Sequence, residues 1–196
     1  MTQAKKPVAI ALVALGAAAA FMLGSRADAD SSTSAGHAIL VDTAGSAVGK
    51  VKLISAGTRV EAFVEASGLT PGFHGFHVHT VGRCEAPFTS AGGHYNPGSA
   101  GHREHAGDLP ILLVNRDGTA KASFTTDRLT VAQLFDADGS AIVVHADPDN
   151  YAHIPARYSA TGPDATTLAT GDAGGRVACG VVLPGSAGDE ERGRGR

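Results

Sequence analysis

Nine histidines occur in the 196 residues of the chain, and six of them fall between positions 72 and 108. They are arranged as Gly-Phe-His-Gly-Phe-His-Val-His, ending at His79, and as Gly-Gly-His-Tyr-Asn-Pro around His94, followed by His102, His105 and Asp108 at three-residue intervals. Residues 73–81 have the apolar alternation of a strand, and side chains two apart on a strand share a face, so His77 and His79 can reach one ion together. His94 follows a Gly-rich connection, the 102–108 segment reads as loop, and a further imidazole, His145, ends the run Ala-Ile-Val-Val-His. Imidazoles with a single carboxylate and no thiolate suit zinc, copper, iron or nickel and are least like a calcium or iron–sulfur site. Seven candidate ligands exceed one tetrahedral ion. Two ions sharing a ligand would use them all, and histidine, with two ring nitrogens, is the side chain that can touch both. The spacing His-Arg-Glu-His is not the His-Glu-x-x-His of zinc proteases, and it lacks their helix and general base.

Such a cluster needs a frame, and the remaining chain supplies short β-branched runs at 37–43, 47–55, 59–66, 111–115, 120–126, 141–146 and 177–183. With 73–81 these make eight strands, which predicts an all-β fold, an eight-stranded antiparallel sandwich or barrel. Asn115-Arg-Asp-Gly118 is a hairpin signal. Residues 130–135 offer the one turn of helix. A chain that is 43% apolar, with 26 glycines and no tryptophan, reads as one turn-rich domain.

The two ends are set apart from that domain. Lys5 and Lys6, an apolar stretch over 8–23 and Ala27-Asp28-Ala29 have the form of a signal peptide over 1–29, cleaved after Ala29, with an uncleaved anchor as the alternative. Residues 30–36 read as a flexible lead-in, 37–183 as the domain and 184–196 as a solvated tail. The expected location is therefore secreted, periplasmic or at the cell envelope. Without the leader the chain keeps 13 basic and 18 acidic residues from the original 16 and 19, a net charge of about −5, and it has no basic patch to serve a nucleic-acid partner. Cys84 and Cys179 are an even pair in an exported chain, which favours one intramolecular disulfide over two buried thiols.

Five ordered motifs carry a resemblance: Gly75-Phe-His-Val-His79, Gly92-Gly-His-Tyr-Asn-Pro97, His105-Ala-Gly-Asp-Leu109, Val143-Val-His-Ala146 and Gly171-Asp-Ala-Gly-Gly-Arg-Val-Ala-Cys-Gly180. Over 37–183 the chain resembles the copper/zinc superoxide dismutases, and the leader suggests their secreted or periplasmic bacterial branch. The resemblance implies a Greek-key β-barrel with long metal-binding loops, and superoxide as substrate, disproportionated to O2 and H2O2 by a copper ion that is alternately reduced and reoxidised. It implies copper on His77, His79, His94 and His145, and zinc on His94, His102, His105 and Asp108, with His94 bridging the two ions and relaying a proton. Asp149 matches the carboxylate that links the two ligand sets, Arg176 the arginine beside the copper, and Cys84 with Cys179 the family disulfide. One departure stands out: Arg103 and Glu104 alone separate His102 from His105, where the family usually has a longer segment, so zinc at this shortened loop is the part of the reading most in need of a structure. His74, at odd spacing from the pair, reads as a hydrogen-bonded structural histidine, and His37 and His153 as surface residues. A metal storage or delivery protein and a sandwich with a relict site are the rival classes. The sequence leaves the oligomeric state open, a homodimer included.

Overall fold

A computed structural model of the chain describes residues 35–185 and Met1; the expected leader, positions 30–34 and tail positions 186–196 lie outside the described residues. The first strand begins at Ala35, inside the stretch expected to be lead-in. Strands β1 (Ala35–Asp42), β2 (Ala47–Ala56) and β3 (Arg59–Ala66) form an antiparallel meander. Their alternation decides the register. β3 buries Val60, Ala62, Val64 and Ala66 while Arg59, Phe63 and Glu65 stay outside, and a slip of one residue would reverse that.

The remaining strands are β4 (Gly72–His74), β5 (Phe76–His79), β6 (Leu112–Val114), β7 (Ala120–Thr126), β8 (Ala141–His145), β9 (Arg176–Val181) and β10 (Leu183–Pro184). The large curled sheet runs β5-β8-β9-β1-β2-β3-β7, with β10 on β1, and β4 pairs with β6 in a separate ribbon. Neighbours far apart in sequence, β9 beside β1 and β7 beside β3, are the crossings of a Greek key. The all-β expectation is met, but two of the eight runs are each cut in two. The 73–81 run breaks at Gly75, where the chain passes so close to the neighbouring loop that an added Cβ would lie 2.6 Å from that of Ala173. The last run breaks at Val182, between β9 and β10. The hairpin signal is realised only as a turn, closed by Asn115 N–H donating to the Thr119 carbonyl at 2.7 Å, because β6 and β7 find their partners in β4 and β3 instead.

The main core gathers Leu40, Val51, Val60, Val64, Phe76, Val78, Leu112, Leu134, Ile142 and Val144, and each such side chain contributes about 1.5–3 kcal/mol on burial. β8 is apolar from Ala141 to Val144 because both of its faces are covered. Ile142 and Val144 enter the main core, and Ala141 and Val143 enter a smaller cluster with Phe88, Ala91 and Cys179. That second cluster encloses the Cys84–Cys179 disulfide, with a Cα–Cα distance of 5.6 Å and a sequence separation of 95. Closing so long a loop removes about 4–5 kcal/mol of unfolded-chain entropy in the loop-closure treatment. The helical turn appears as a 3-10 segment, Val131–Phe135, with a Thr130/Gln133 capping box. A second 3-10 turn at Thr89–Ala91 and the four-residue helix α1 (Thr167–Thr170) are too short for periodicity to reveal. Among the described residues no helix is long and apolar enough to cross a membrane.

Candidate metal centre

The donors converge because β5 is flanked on both edges. On one side it pairs with β8, which ends in His145. On the other side loop backbone takes the place of a strand: Val78 N–H donates to the Gly107 carbonyl at 2.9 Å, Tyr95 N–H to the Val78 carbonyl at 2.8 Å, and Thr80 N–H to the Gly93 carbonyl at 3.0 Å. This places Asp108 opposite His77 and His94 opposite His79. Gly107 makes the approach feasible, since a Cβ there would sit 2.4 Å from the Val78 carbonyl oxygen. All four residues of β5 are therefore buried, Phe76 and Val78 in the core and His77 and His79 in the metal centre.

Two buried donor groups result, each with ligand atoms within 4.8 Å of one another: His77, His79, His94 and His145, and His94, His102, His105 and Asp108. In the first group, His79 Nδ1–H donates to the Gly92 carbonyl at 3.0 Å and His145 Nδ1–H to the Gly174 carbonyl at 3.2 Å. That leaves lone pairs on two Nε2 atoms only 3.2 Å apart. His77 Nε2–H donates to Asp149 Oδ2 at 2.7 Å, and its buried Nδ1 has no hydrogen-bond partner. Burial holds His77 at about 4, His79 at about 2 and His145 at about 3, so all three rings are neutral at pH 7. Converging, unprotonated and otherwise unpartnered imidazole nitrogens fit a bound cation and little else.

The second group is built from loop and is ionic. His94 Nδ1 lies 2.9 Å from Asp108 Oδ1 and 3.4 Å from His105 Nδ1, leaving Nε2 for the first group. His102 Nε2–H donates to Asp149 at 2.8 and 2.9 Å from its two oxygens, while Nδ1 lies 3.1 Å from Asp108 Oδ2 without hydrogen-bond alignment. Burial alone would lower His102, but the carboxylates of Asp108 and Asp149 overcome it and raise the ring to about 9. Burial likewise opposes ionisation of both acids, yet hydrogen bonds to the histidines hold Asp108 and Asp149 below the usual carboxylate range. Without an ion the imidazolium of His102 thus supplies the positive charge, and a metal entering here displaces a proton. The shortened turn does bring His102 and His105 into one group with Asp108.

Asp149 is the hinge between the groups, accepting from His77 on one side and His102 on the other, with Tyr151 N–H donating to it at 2.6 Å. Arg176 faces His145 across the β8–β9 ladder at a register shift and is half-buried. Its guanidinium donates to the carbonyls of Phe88 and Gly92. The Gly92 carbonyl thereby orients both the arginine and His79. His74 has its ring nitrogens 2.7 Å from the His145 carbonyl and 2.8 Å from that of Thr70, a structural role as read from the sequence. His153 is exposed, but His37 is buried within β1, a correction to its reading as a surface residue.

Sequence reasoning missed the backbone partners, because carbonyls carry no residue signature. It also missed Gly171. This glycine has φ +58°, and a Cβ on it would lie 2.1 Å from Asp149 Oδ1 and 2.3 Å from His102 Nε2. Its signal was its place at the head of the last motif.

The sequence profile of copper/zinc superoxide dismutase matches residues 47–182. The chain belongs to the copper/zinc superoxide dismutase family. The Cu-Zn superoxide dismutase of Mycobacterium bovis is 50% identical over 131 residues, covering 58% of this chain and 54% of that protein, so the chain spans about half the length of its mycobacterial relative. A Cu-Zn superoxide dismutase of Brassica juncea is 41% identical over 122 residues, 59% of this chain and 75% of that protein. The crystal structure of a double mutant of a SOD-like protein from Bacillus subtilis is similar at a TM-score of 0.62 and 33% identity, covering 75% of this chain and 96% of that one. Copper and zinc are the metals of the copper/zinc superoxide dismutase family, and two donor groups meeting at one histidine match that pair in number.

Proposed function

We propose that this chain is a superoxide dismutase that converts two superoxide anions and two protons into O2 and H2O2, with copper on His77, His79, His94 and His145 and zinc on His94, His102, His105 and Asp108. The observation that carries the reading is the pair of buried donor groups sharing His94, with the half-buried Arg176 beside the first. Bound copper supplies the one-electron chemistry, alternating between its two oxidation states, whereas zinc has no redox chemistry. The protein's own residues do the rest. The carbonyls of Gly92 and Gly174 fix the Nδ1–H tautomers of His79 and His145, and Asp149 fixes His77 and His102. Arg176, a permanent cation, holds the anionic substrate at the first group. His94 keeps Nδ1 toward Asp108 and His105, so its Nε2 is the atom that carries a proton to the second superoxide.

The leader-like 1–29 segment and the Cys84–Cys179 disulfide support a setting outside the cytoplasm, where the activity would protect the envelope. The test is dismutation by copper-loaded protein against copper-free and zinc-only controls. Activity that needs copper and disappears with cyanide is the expected result; activity that survives copper removal contradicts the reading.

A further inference from the structure

The turn that joins His102 to His105 contains only Arg103 and Glu104, both exposed, yet it must hold two donors at one ion. From inside, the turn is tied at its ends. His102 N–H donates to the Leu168 carbonyl at 2.8 Å, Glu104 N–H to the Gly101 carbonyl at 2.9 Å, and His105 N–H to Asp108 Oδ2 at 3.1 Å. From outside, one side chain among the described residues reaches the middle. Arg128, which follows β7, donates from Nη1 to the Arg103 carbonyl, and its Nη2 lies 3.7 Å from Glu104 Oε2. One planar guanidinium therefore engages both residues of the two-residue connection, the backbone of one and the side chain of the other.

We propose that Arg128 is a positioning residue for the second ion, a clasp that closes the turn between His102 and His105. A guanidinium suits this task because its fork spans two acceptors at fixed separation, which an ammonium cannot do. The clasp also borders a cleft of about 620 Å³ whose lining includes Arg103, Glu104, Arg128, Asp108 and Tyr151. That cleft reaches Asp108, whose side chain is only 3% exposed, so loosening the clasp would open the buried second group to solvent on that side and favour escape of the ion held there. Three donors of the first group, His77, His79 and His145, lie on paired strands, and among the described residues no hydrogen bond or ion pair joins Arg128 to them. The effect should be confined to one of two ions that share a ligand.

The inference rests on the reading of His94, His102, His105 and Asp108 as an ion site, and its test does not use dismutation. Protein loaded with copper and zinc is mixed with excess chromophoric chelator and the release of each metal is followed; cobalt(II) in the second site gives a visible band that reports its geometry. Arg128→Ala should release zinc about three- to tenfold faster, the range expected for one partly exposed hydrogen bond from a charged donor, and should alter the cobalt band. Arg128→Lys should fall between the two, Glu104→Gln should change little because its ion pair is long and exposed, and copper release should be unchanged throughout. Equal zinc release in wild type and Arg128→Ala overturns the clasp, as does equal acceleration of both metals, which would mark a merely structural arginine. If Arg128→Ala does not fold, an Arg128→Lys variant with wild-type zinc release and an unaltered cobalt band also overturns it. A wild type that binds zinc with this behaviour but does not dismutate superoxide sinks the proposed activity and leaves the clasp standing.

Discussion

The two donor groups share His94 but are made in opposite ways. The first sits on strand: His77 and His79 on β5 and His145 at the end of β8 are fixed by a ladder whose other residues fill two hydrophobic clusters. The second hangs on loop, where His102, His105 and Asp108 are placed by isolated backbone hydrogen bonds and by Asp149. Their electrostatics differ in the same sense. Desolvation dominates in the first and keeps His77, His79 and His145 neutral, whereas in the second two carboxylates keep His102 protonated. A ladder can present bare lone pairs in an apolar setting because neighbouring core residues stabilise the strand. A loop without such packing relies on charge, which holds the segment in place and must be exchanged when a metal enters.

Substituting the ligands is the most severe way to break this comparison. His94→Ala should weaken both ions, each by at least about 100-fold, since even residues that merely orient a ligand commonly cost about 10–100-fold in metal affinity. His145→Ala should remove only copper and His105→Ala only zinc, read by elemental analysis after dialysis. Loss of both metals from His105→Ala would show that the groups are not separable.

The pH dependence sharpens the contrast with a nearly comparable effect. A ligand must be deprotonated to bind, so a ring with a raised pKa penalises binding at every pH below it. With His102 at about 9, zinc affinity should rise about tenfold per pH unit from pH 7 to about 9 and then level off. With His77 at about 4 and His145 at about 3, copper affinity should be flat over the same range and fall only in acid. In metal-free protein the signs also differ. The depressed rings make stability fall as pH drops from about 6.5 towards 4, because the unfolded chain binds protons that the native state refuses, whereas His102 contributes stability below 6.5 that is lost as pH rises through about 9. Titration calorimetry and denaturant midpoints across pH check both. Parallel pH slopes for the two metals would contradict the assignment.

A smaller effect tests what stands beside the first group alone. Arg176→Ala should leave both metals bound and lower the second-order rate with superoxide by about tenfold at low salt, the low end of electrostatic steering, for which superoxide dismutase is itself the standard example. Arg176→Lys should retain part of the rate. Added salt should slow the wild type more than the alanine variant, since screening acts on the field the arginine supplies, and stopped-flow rates at two ionic strengths compare them. The stretch 159–169 contains no lysine or arginine to share the role.

The strand-borne half of the centre was legible because strand periodicity is a physical rule: His77 and His79 share a face by spacing alone, and β8 showed itself as an unbroken apolar run ending in His145. In the loop-borne half His102, His105 and Asp108 showed as candidate ligands by residue type, but their grouping around one ion and the roles of Asp149 and Arg176 were legible only through resemblance, since nothing in their spacing says what closes the turn. The break at Gly75 was hidden because it depends on the distance to Ala173, a contact 98 positions away in the sequence. Gly171 was hidden for a related reason. Its requirement is twofold, since it closes the four-residue α1 in the left-handed region with its N–H on the Thr167 carbonyl and it lies against the Asp149–His102 contact, and a helix so short leaves no periodicity to mark its end. The Gly92 and Gly174 carbonyls that orient His79 and His145 belong to backbone, which no residue type announces.

The most direct test is anomalous diffraction at the copper and zinc edges from crystals of protein loaded with both metals. The prediction is one copper peak beside His77 Nδ1, His79 Nε2 and His145 Nε2, and a separate zinc peak among His102, His105 and Asp108, with the His94 ring between them. A copper peak among the loop donors, or a single peak serving both groups, would contradict the division of the centre into a strand-borne copper site and a loop-borne zinc site.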